Sequence, residues 1–259
     1  MPCLLCGRQG CNFIKDNDGM QKEIYQKFGY DFSHYNLKEI DCKGEITIDF
    51  VDTLWNHTSY FFRNPSVFHS LQSLVFPYLQ TLLAVKIWCA GCAQGEEVYS
   101  LTILLKEHGL LEKSHIYATD ISAKSLAKAQ QTSYLLPSLT QLEENYQKAG
   151  GKHHFEDYIS IKNHHFEMQN FAQPYIQFIE HDLLQKSIVQ DIHLILCRNV
   201  LIYFKLPAYK AILQSLYESL APQGFMCLGA VDTILHHNVK VWETFNMHSN
   251  IFRKKDALV

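Results

Sequence analysis

Residues 85–100 read Val85-Lys86-Ile87-Trp88-Cys89-Ala90-Gly91-Cys92-Ala93-Gln94-Gly95-Glu96-Glu97-Val98-Tyr99-Ser100. The stretch decides the fold class. An apolar run from Val85 to Cys89, β-branched and aromatic, predicts a buried strand. Gly91 to Gly95 predicts a tight turn, because two glycines in five residues allow backbone conformations that a Cβ would forbid. From Glu96 to Glu107 the apolar residues Val98, Leu101, Leu104 and Leu105 fall at helical spacing. The reading is strand, glycine turn, helix.

The same alternation continues downstream. His115 to Thr119 predicts a second strand ending at Asp120, and Ser122 an N-cap for a helix through Gln130. Further strands are expected at Ile176–Glu180, Ile192–Cys197 and Phe225–Gly229, with a helix from Pro207 to Leu220 stopped by Pro222 and Gly224. Strands that alternate with helices predict an α/β fold with a mostly parallel sheet covered on both faces. Such a sheet binds its ligand beyond the carboxyl ends of its strands. Gly91 to Glu97, Asp120, Asp182 with Leu183, and Arg198 with Asn199 occupy those positions. The glycine turn lacks the G-x-G-x-x-G spacing that a dinucleotide pyrophosphate uses. Small residues that let the backbone approach a ligand, free N–H groups at the helix start that the turn opens, and the Asp120 carboxylate, an acceptor for two ribose hydroxyls, instead predict a nucleoside pocket.

The 259 residues are 47% hydrophobic and 19% charged, enough to bury a substantial core and unlike a disordered chain. Twenty-three basic side chains against 26 acidic ones give a net charge of -3, which with no basic run argues against a nucleic-acid partner. The longest apolar stretch, Leu82 to Ala93, is interrupted by Lys86 and is too short to span a bilayer, so no membrane span is expected. The N-terminal MPCLLCGRQGC lacks the features of a signal peptide, and the expected location is the cytoplasm. The eight cysteines are read as reduced thiols. Cys3, Cys6, Cys11 and Cys42 could offer four thiolates, but without two paired ligand clusters no metal site is expected. The 14 histidines, including the pairs His153-His154, His164-His165 and His236-His237, make no H-E-x-x-H arrangement and are expected at the surface.

Residues 1–50 are polar and glycine-broken, with one helical pattern near Gln21 to Phe28. They read as a short appendage ahead of a domain spanning 51–259. Within that domain, 132–174 reads as an insertion that forms a helix, a Gly150-Gly151 break and a small strand or hairpin, with a candidate role in substrate contact.

Four segments together resemble the CheR family of chemotaxis-receptor glutamate O-methyltransferases. WCAGCAQGEEVYS, Trp88 to Ser100, resembles the family's cofactor-binding motif. SYFFRNP at Ser59–Pro65 resembles its T-x-F-F-R segment, CRNVLIYF at Cys197–Phe204 its C-R-N-V-x-I-Y-F segment, and IYATDIS at Ile116–Ser122 its second strand. APQGFMCLG near the end also fits, and GYDFSHY at Gly29–Tyr35 fits more faintly. The resemblance implies a class I S-adenosylmethionine-dependent methyltransferase, Rossmann-like, that yields S-adenosylhomocysteine and methylates glutamate carboxylates of a receptor or other signalling protein. It implies that His57, Ser59, Arg63, Gly91, Glu97, Asp120, Asp182, Leu183, Arg198 and Asn199 bind the cofactor, with Asp120 on the ribose and Asp182-Leu183 against the adenine. Arg63 and Tyr203 would face the methyl-transfer site, Phe61 and Phe62 being core aromatics. His57 and Ser59 stand where the family has Asn and Thr, and Gly229-Ala230-Val231-Asp232 where it has G-x-S-E, which replaces a polar pair near the pocket. Residues 1–50 are shorter than the family's helical N-terminal domain and lack its Arg-rich helix. Two other readings stay open: a diverged S-adenosylmethionine-binding sensor with little activity, and a methyltransferase for another substrate.

Overall fold

The structure, a computed structural model, describes residues 17–32, 46, 54, 59–136, 138–232, 234, 241–246 and 248–255. His57, Cys3, Cys6, Cys11, Cys42, His236-His237 and Ser33-His34-Tyr35 of the GYDFSHY segment lie outside them. The chain divides into two compact units, Met1–Asn56 with Ile202–Tyr209, and His57–Leu201 with Lys210–Val259.

In the smaller unit, helix α1 (Asn17–Phe28) buries Met20 and Ile24 and ends at Gly29. Tyr30 makes an isolated antiparallel bridge to Phe204, their rings 5.2 Å apart. The Asp31 N–H donates to the Tyr203 carbonyl at 2.7 Å, and the Tyr203 ring packs 6.0 Å from Phe32.

Among the described residues the main sheet of the larger unit has seven strands: β1 (Val85–Ala90), β2 (Ser114–Asp120), β6 (Ile176–Glu180), β7 (Ile192–Cys197), β8 (Leu220–Leu228), β9 (Trp242–Asn246) and β10 (Ile251–Lys254). Their order is β6-β2-β1-β7-β8-β10-β9. The first five run parallel, and β10 is antiparallel to both β8 and β9. The strand order reverses between β1 and β7, so the switch point falls at the glycine turn.

Helices α2 (Pro65–Ser70) and α3 (Phe76–Thr81) are joined by a π-helical turn, Leu71–Val75. The wide turn precedes Pro77, which has no N–H to give a regular helix. Helix α4 (Glu96–Glu107) is buried on nearly every side, Val98, Leu101, Leu104 and Leu105 included. Helix α5 (Ala123–Gln131) is capped by Ser122, whose hydroxyl accepts the Ser125 N–H at 3.1 Å.

The expected hairpin in 132–174 is three strands: β3 (Ser133–Leu135), β4 (Ile159–Lys162) and β5 (His165–Met168), in the order β3-β5-β4. Helix α6 (Leu139–Lys148) precedes the glycine break. One face of this small sheet buries Tyr134 and Phe166. Phe61 lies 4.9 Å from the Tyr134 ring, and Phe155 and Phe166 complete the cluster. Phe61 and Phe62 are core residues, as expected.

Two expectations need correction. Helix α7 (Leu206–Ser219) passes directly into β8, so Pro222 and Gly224 lie inside a strand rather than in a connecting loop. The chain accommodates them by a register shift, Ile192 facing Leu220 and Leu194 facing Phe225. A bulge of this kind is one of the few places in a sheet that tolerates proline. The second correction is His181, which is buried at the end of β6 with its ring 6.1 Å from Trp88. Burial lowers its pKa, against the pull of Asp182. The described pairs His153-His154 and His164-His165 are exposed.

Candidate active site

The glycine turn is closed by its own backbone. The Gly91 and Cys92 N–H groups donate to the Thr119 carbonyl at 2.7 and 2.9 Å, and Gly95 N–H to the Cys92 carbonyl at 3.0 Å. Ala93 N–H donates to Asp120 Oδ2 at 2.8 Å. Closure of the turn therefore engages the N–H groups of Gly91, Cys92, Ala93 and Gly95. The start of α4 differs, since Gly95 is its N-cap and provides no side-chain cap. Uncapped first-turn N–H groups suit an anionic or polar ligand.

Asp120 holds the turn as well as facing the strand ends. Its Oδ1 accepts the Ser122 N–H at 3.0 Å, and its Oδ2 the Ala93 N–H. An ionised carboxylate is acceptor-only, the chemistry that ribose hydroxyls need. Asp120 O accepts the His181 N–H at 2.9 Å, which brings Asp182 and buried Leu183 to the same edge. Asp182 Oδ1 accepts the Leu184 N–H at 2.9 Å.

Arg198 is the most buried of the expected site residues that are described, its side chain 1% exposed. It pairs with Glu97 Oε2 at 2.5 Å, and its other terminal nitrogen donates to the Arg63 carbonyl and to Asn64 Oδ1, both at 3.0 Å. Burial works against its charge, and Glu97 together with Cys227 and Asp232 more than offsets this, leaving the guanidinium pKa above its ordinary value. Arg198 thus gathers the Glu97 end of α4 and the Ser59–Arg63 segment at the end of β7. That segment turns sharply, with Phe62 and Asn64 both left-handed at φ 54° and 56°. The Phe62 N–H is satisfied by Ser100 Oγ at 2.9 Å. Ser59 and Arg63 are half-buried. Tyr203 stands in the smaller unit, held through its carbonyl and against Phe32.

Gly91 has φ +74°, and a Cβ there would overlap Val200 Cγ2. Gly91→Ala should therefore lower the unfolding free energy by about 2 kcal/mol, from strain and overpacking together. Urea unfolding checks this, and an unchanged midpoint would contradict the close approach.

Sequence reasoning missed Tyr134. Its hydroxyl donates to the Gln94 carbonyl at 2.8 Å, so β3 covers the glycine turn. Burial raises its pKa well above the ordinary value, with Glu96 adding to the shift, and keeps it a neutral donor. A three-residue strand carries too few positions for a periodicity to reveal it. Asn64 was also missed, since its partner Arg198 is 134 residues away.

The residues present fit an adenosyl cofactor: a glycine position that admits no Cβ, an uncapped helix start, and an acid at the end of the next strand. No helix among the described residues is long and apolar enough to cross a membrane. Residues 56–251 match the family described as CheR methyltransferase, SAM binding domain. Cher3 of Pseudomonas putida KT2440, a methyltransferase by name, is 36% identical over 234 residues, covering 82% of this chain and 86% of that one. A chemotaxis protein methyltransferase of Listeria innocua is 29% identical over 218 residues, 83% of this chain and 78% of that one. Chemotaxis protein methyltransferase 2 of Vibrio cholerae is 28% identical over 209 residues, 76% and 69% of the two chains. A nucleoside-type strand edge and a family match that spans most of the larger unit agree: the chain belongs to the CheR methyltransferase family, with S-adenosylmethionine as its cofactor.

Proposed function

We propose that the chain transfers the methyl group of S-adenosylmethionine to glutamate carboxylates of a receptor or related signalling protein. The observation that carries this reading is the Arg198 tie, which holds the Arg63 backbone and Glu97 together at the end of β7. The bound cofactor supplies an electrophilic methyl group on a sulfonium. A glutamate acceptor is ionised at neutral pH and needs no general base, so the protein's work is orientation. Arg63 would grip the acceptor carboxylate through its planar fork, and Tyr203 would donate a hydrogen bond without ionising. Asp120 would hold the ribose and Asp182-Leu183 the adenine edge. His57, Ser59, Gly91, Glu97, Arg198 and Asn199 would complete the cofactor site. The relatives named for chemotaxis methyl transfer support a receptor acceptor. In this reading 1–50 is an appendage to the 51–259 domain, and the 132–174 insertion contacts the acceptor protein.

The test is incubation with labelled cofactor and a chemoreceptor signalling-domain fragment, followed by mass spectrometric location of the label. Methyl groups on glutamate side chains are expected. Label confined to other residue types, or transferred only to small molecules, would overturn the receptor assignment.

A further inference from the structure

Asp232 stands just past β8, in the segment whose departure from G-x-S-E suggested a lost polar pair. The acid is instead buried, 4% exposed between two exposed residues of its turn and the sheet. Its Oδ2 accepts the Gly229 N–H at 3.0 Å, and its carboxylate also receives the Asn199 N–H. No room separates the three groups: a Cβ on Gly229 would stand 2.6 Å from Asp232 Oδ2 and 2.7 Å from Asn199 N. Asn250 Nδ2 bonds the Gly229 and Asp232 carbonyls, fixing the turn from the side of β10. Asn199 is left-handed at φ 61°. Asn adopts that conformation more readily than most L residues, which lets the chain turn here directly after β7.

What the clamp holds is the turn that organises the site. Arg198 precedes Asn199 and carries the ties to Glu97, Arg63 and Asn64. Val200 follows it and packs on Gly91. We propose that Asp232 is a positioning residue for methyl transfer, its carboxylate locking the Arg198–Val200 turn to the end of β8 so that Arg63 is presented in register. The proposal rests on the methyl-transfer reading above. It concerns turnover more than cofactor affinity, because a small misplacement of an orienting group costs rate before it costs binding.

The clamp depends on charge. Burial pushes the Asp232 carboxyl up to about 6, while the Gly229 and Asn199 N–H groups and then Arg198 pull it back. Arg198 is the charged group facing it from the end of β7, Cys197 the neighbouring titratable one, and Asn250 a neutral neighbour from the turn before β10. Among the described residues its Oδ1 has no hydrogen-bond partner. Because the folded pKa lies above the ordinary 3.8, the group's stabilising contribution is full below that value and is lost as pH rises through about 6. The carboxylate that accepts both N–H groups is populated in the opposite direction. Acidification should thus weaken the clamp without this group loosening the fold.

The experiment follows turnover on the receptor fragment, S-adenosylhomocysteine affinity and the backbone amide resonances of Gly229 and Asn199 across about pH 5 to 8, in wild type and Asp232→Asn. In wild type the two amides should titrate together near pH 6, with turnover falling across the same step. In the variant that step should vanish, with turnover near pH 8 about tenfold or more lower and cofactor-product affinity within about threefold. Amides that titrate separately or not at all, or a variant with wild-type turnover and pH profile, would overturn the proposal. If the variant does not fold, the paired amide titration in wild type decides. Wild type that shows the titration and binds the product but transfers no methyl group contradicts the methyl-transfer reading itself.

Discussion

Glu97→Ala should lower the unfolding free energy by about 3–5 kcal/mol, the cost of stranding a buried charge whose partner has been removed. Arg198 has a 1% exposed side chain and Glu97 a 19% exposed one, so water cannot replace the lost carboxylate. The guanidinium would keep the Arg63 carbonyl and Asn64 Oδ1, but Nε already has no partner among the described residues. Replacing both partners, Glu97→Leu with Arg198→Met, should recover much of the stability, since apolar substitutes of similar volume often match a buried ion pair. It should not recover turnover, because the tie to the Arg63 backbone is gone. Urea unfolding of the three proteins separates these contributions. A single variant within about 1 kcal/mol of wild type would show that the pair is solvated in solution.

Arg63→Ala should cut turnover by about a hundred- to a thousandfold, the range seen when one group aimed at the reacting centre is removed. Tyr203→Phe should cost about tenfold, since a hydroxyl is lost from a ring that stays in place. Both should weaken S-adenosylhomocysteine affinity by far less than they lower turnover, within about 1 kcal/mol, because their contacts are chiefly with the acceptor and the transition state. Steady-state rates on the receptor fragment, beside calorimetry, read the two quantities apart. Unchanged rates in both variants would favour a module that binds the cofactor without using it.

The strand-turn-helix core was legible in the sequence because its signals are local. Ile176–Glu180, Ile192–Cys197 and Glu96–Glu107 form as their apolar spacing requires, and Ser122 caps the helix it precedes. What escaped depends on partners far along the chain. Pro222 and Gly224 read as breakers, yet the long pairing of β8 with β7 and β10 absorbs them in a bulge. The β9–β10 hairpin completes the sheet from a segment whose strands are short. At the site, glycines and acids at strand ends were visible, whereas the uses of their hydrogen bonds were not. Asp120 spends bonds on its own turn, Tyr134 arrives from the insertion, and Asp232 buries a charge where the segment looked merely altered.

If the turn at Gly91–Gly95 and the acid at Asp120 form the S-adenosylmethionine pocket, calorimetry with S-adenosylhomocysteine reads their contribution without any receptor fragment. Wild type should bind with micromolar affinity, on the order of -8 kcal/mol. Asp120→Ala should weaken that by about 1.5 to 3 kcal/mol, from the loss of a charged acceptor. No heat from folded wild type, or an unchanged affinity in the variant, would place the nucleoside elsewhere and contradict the account.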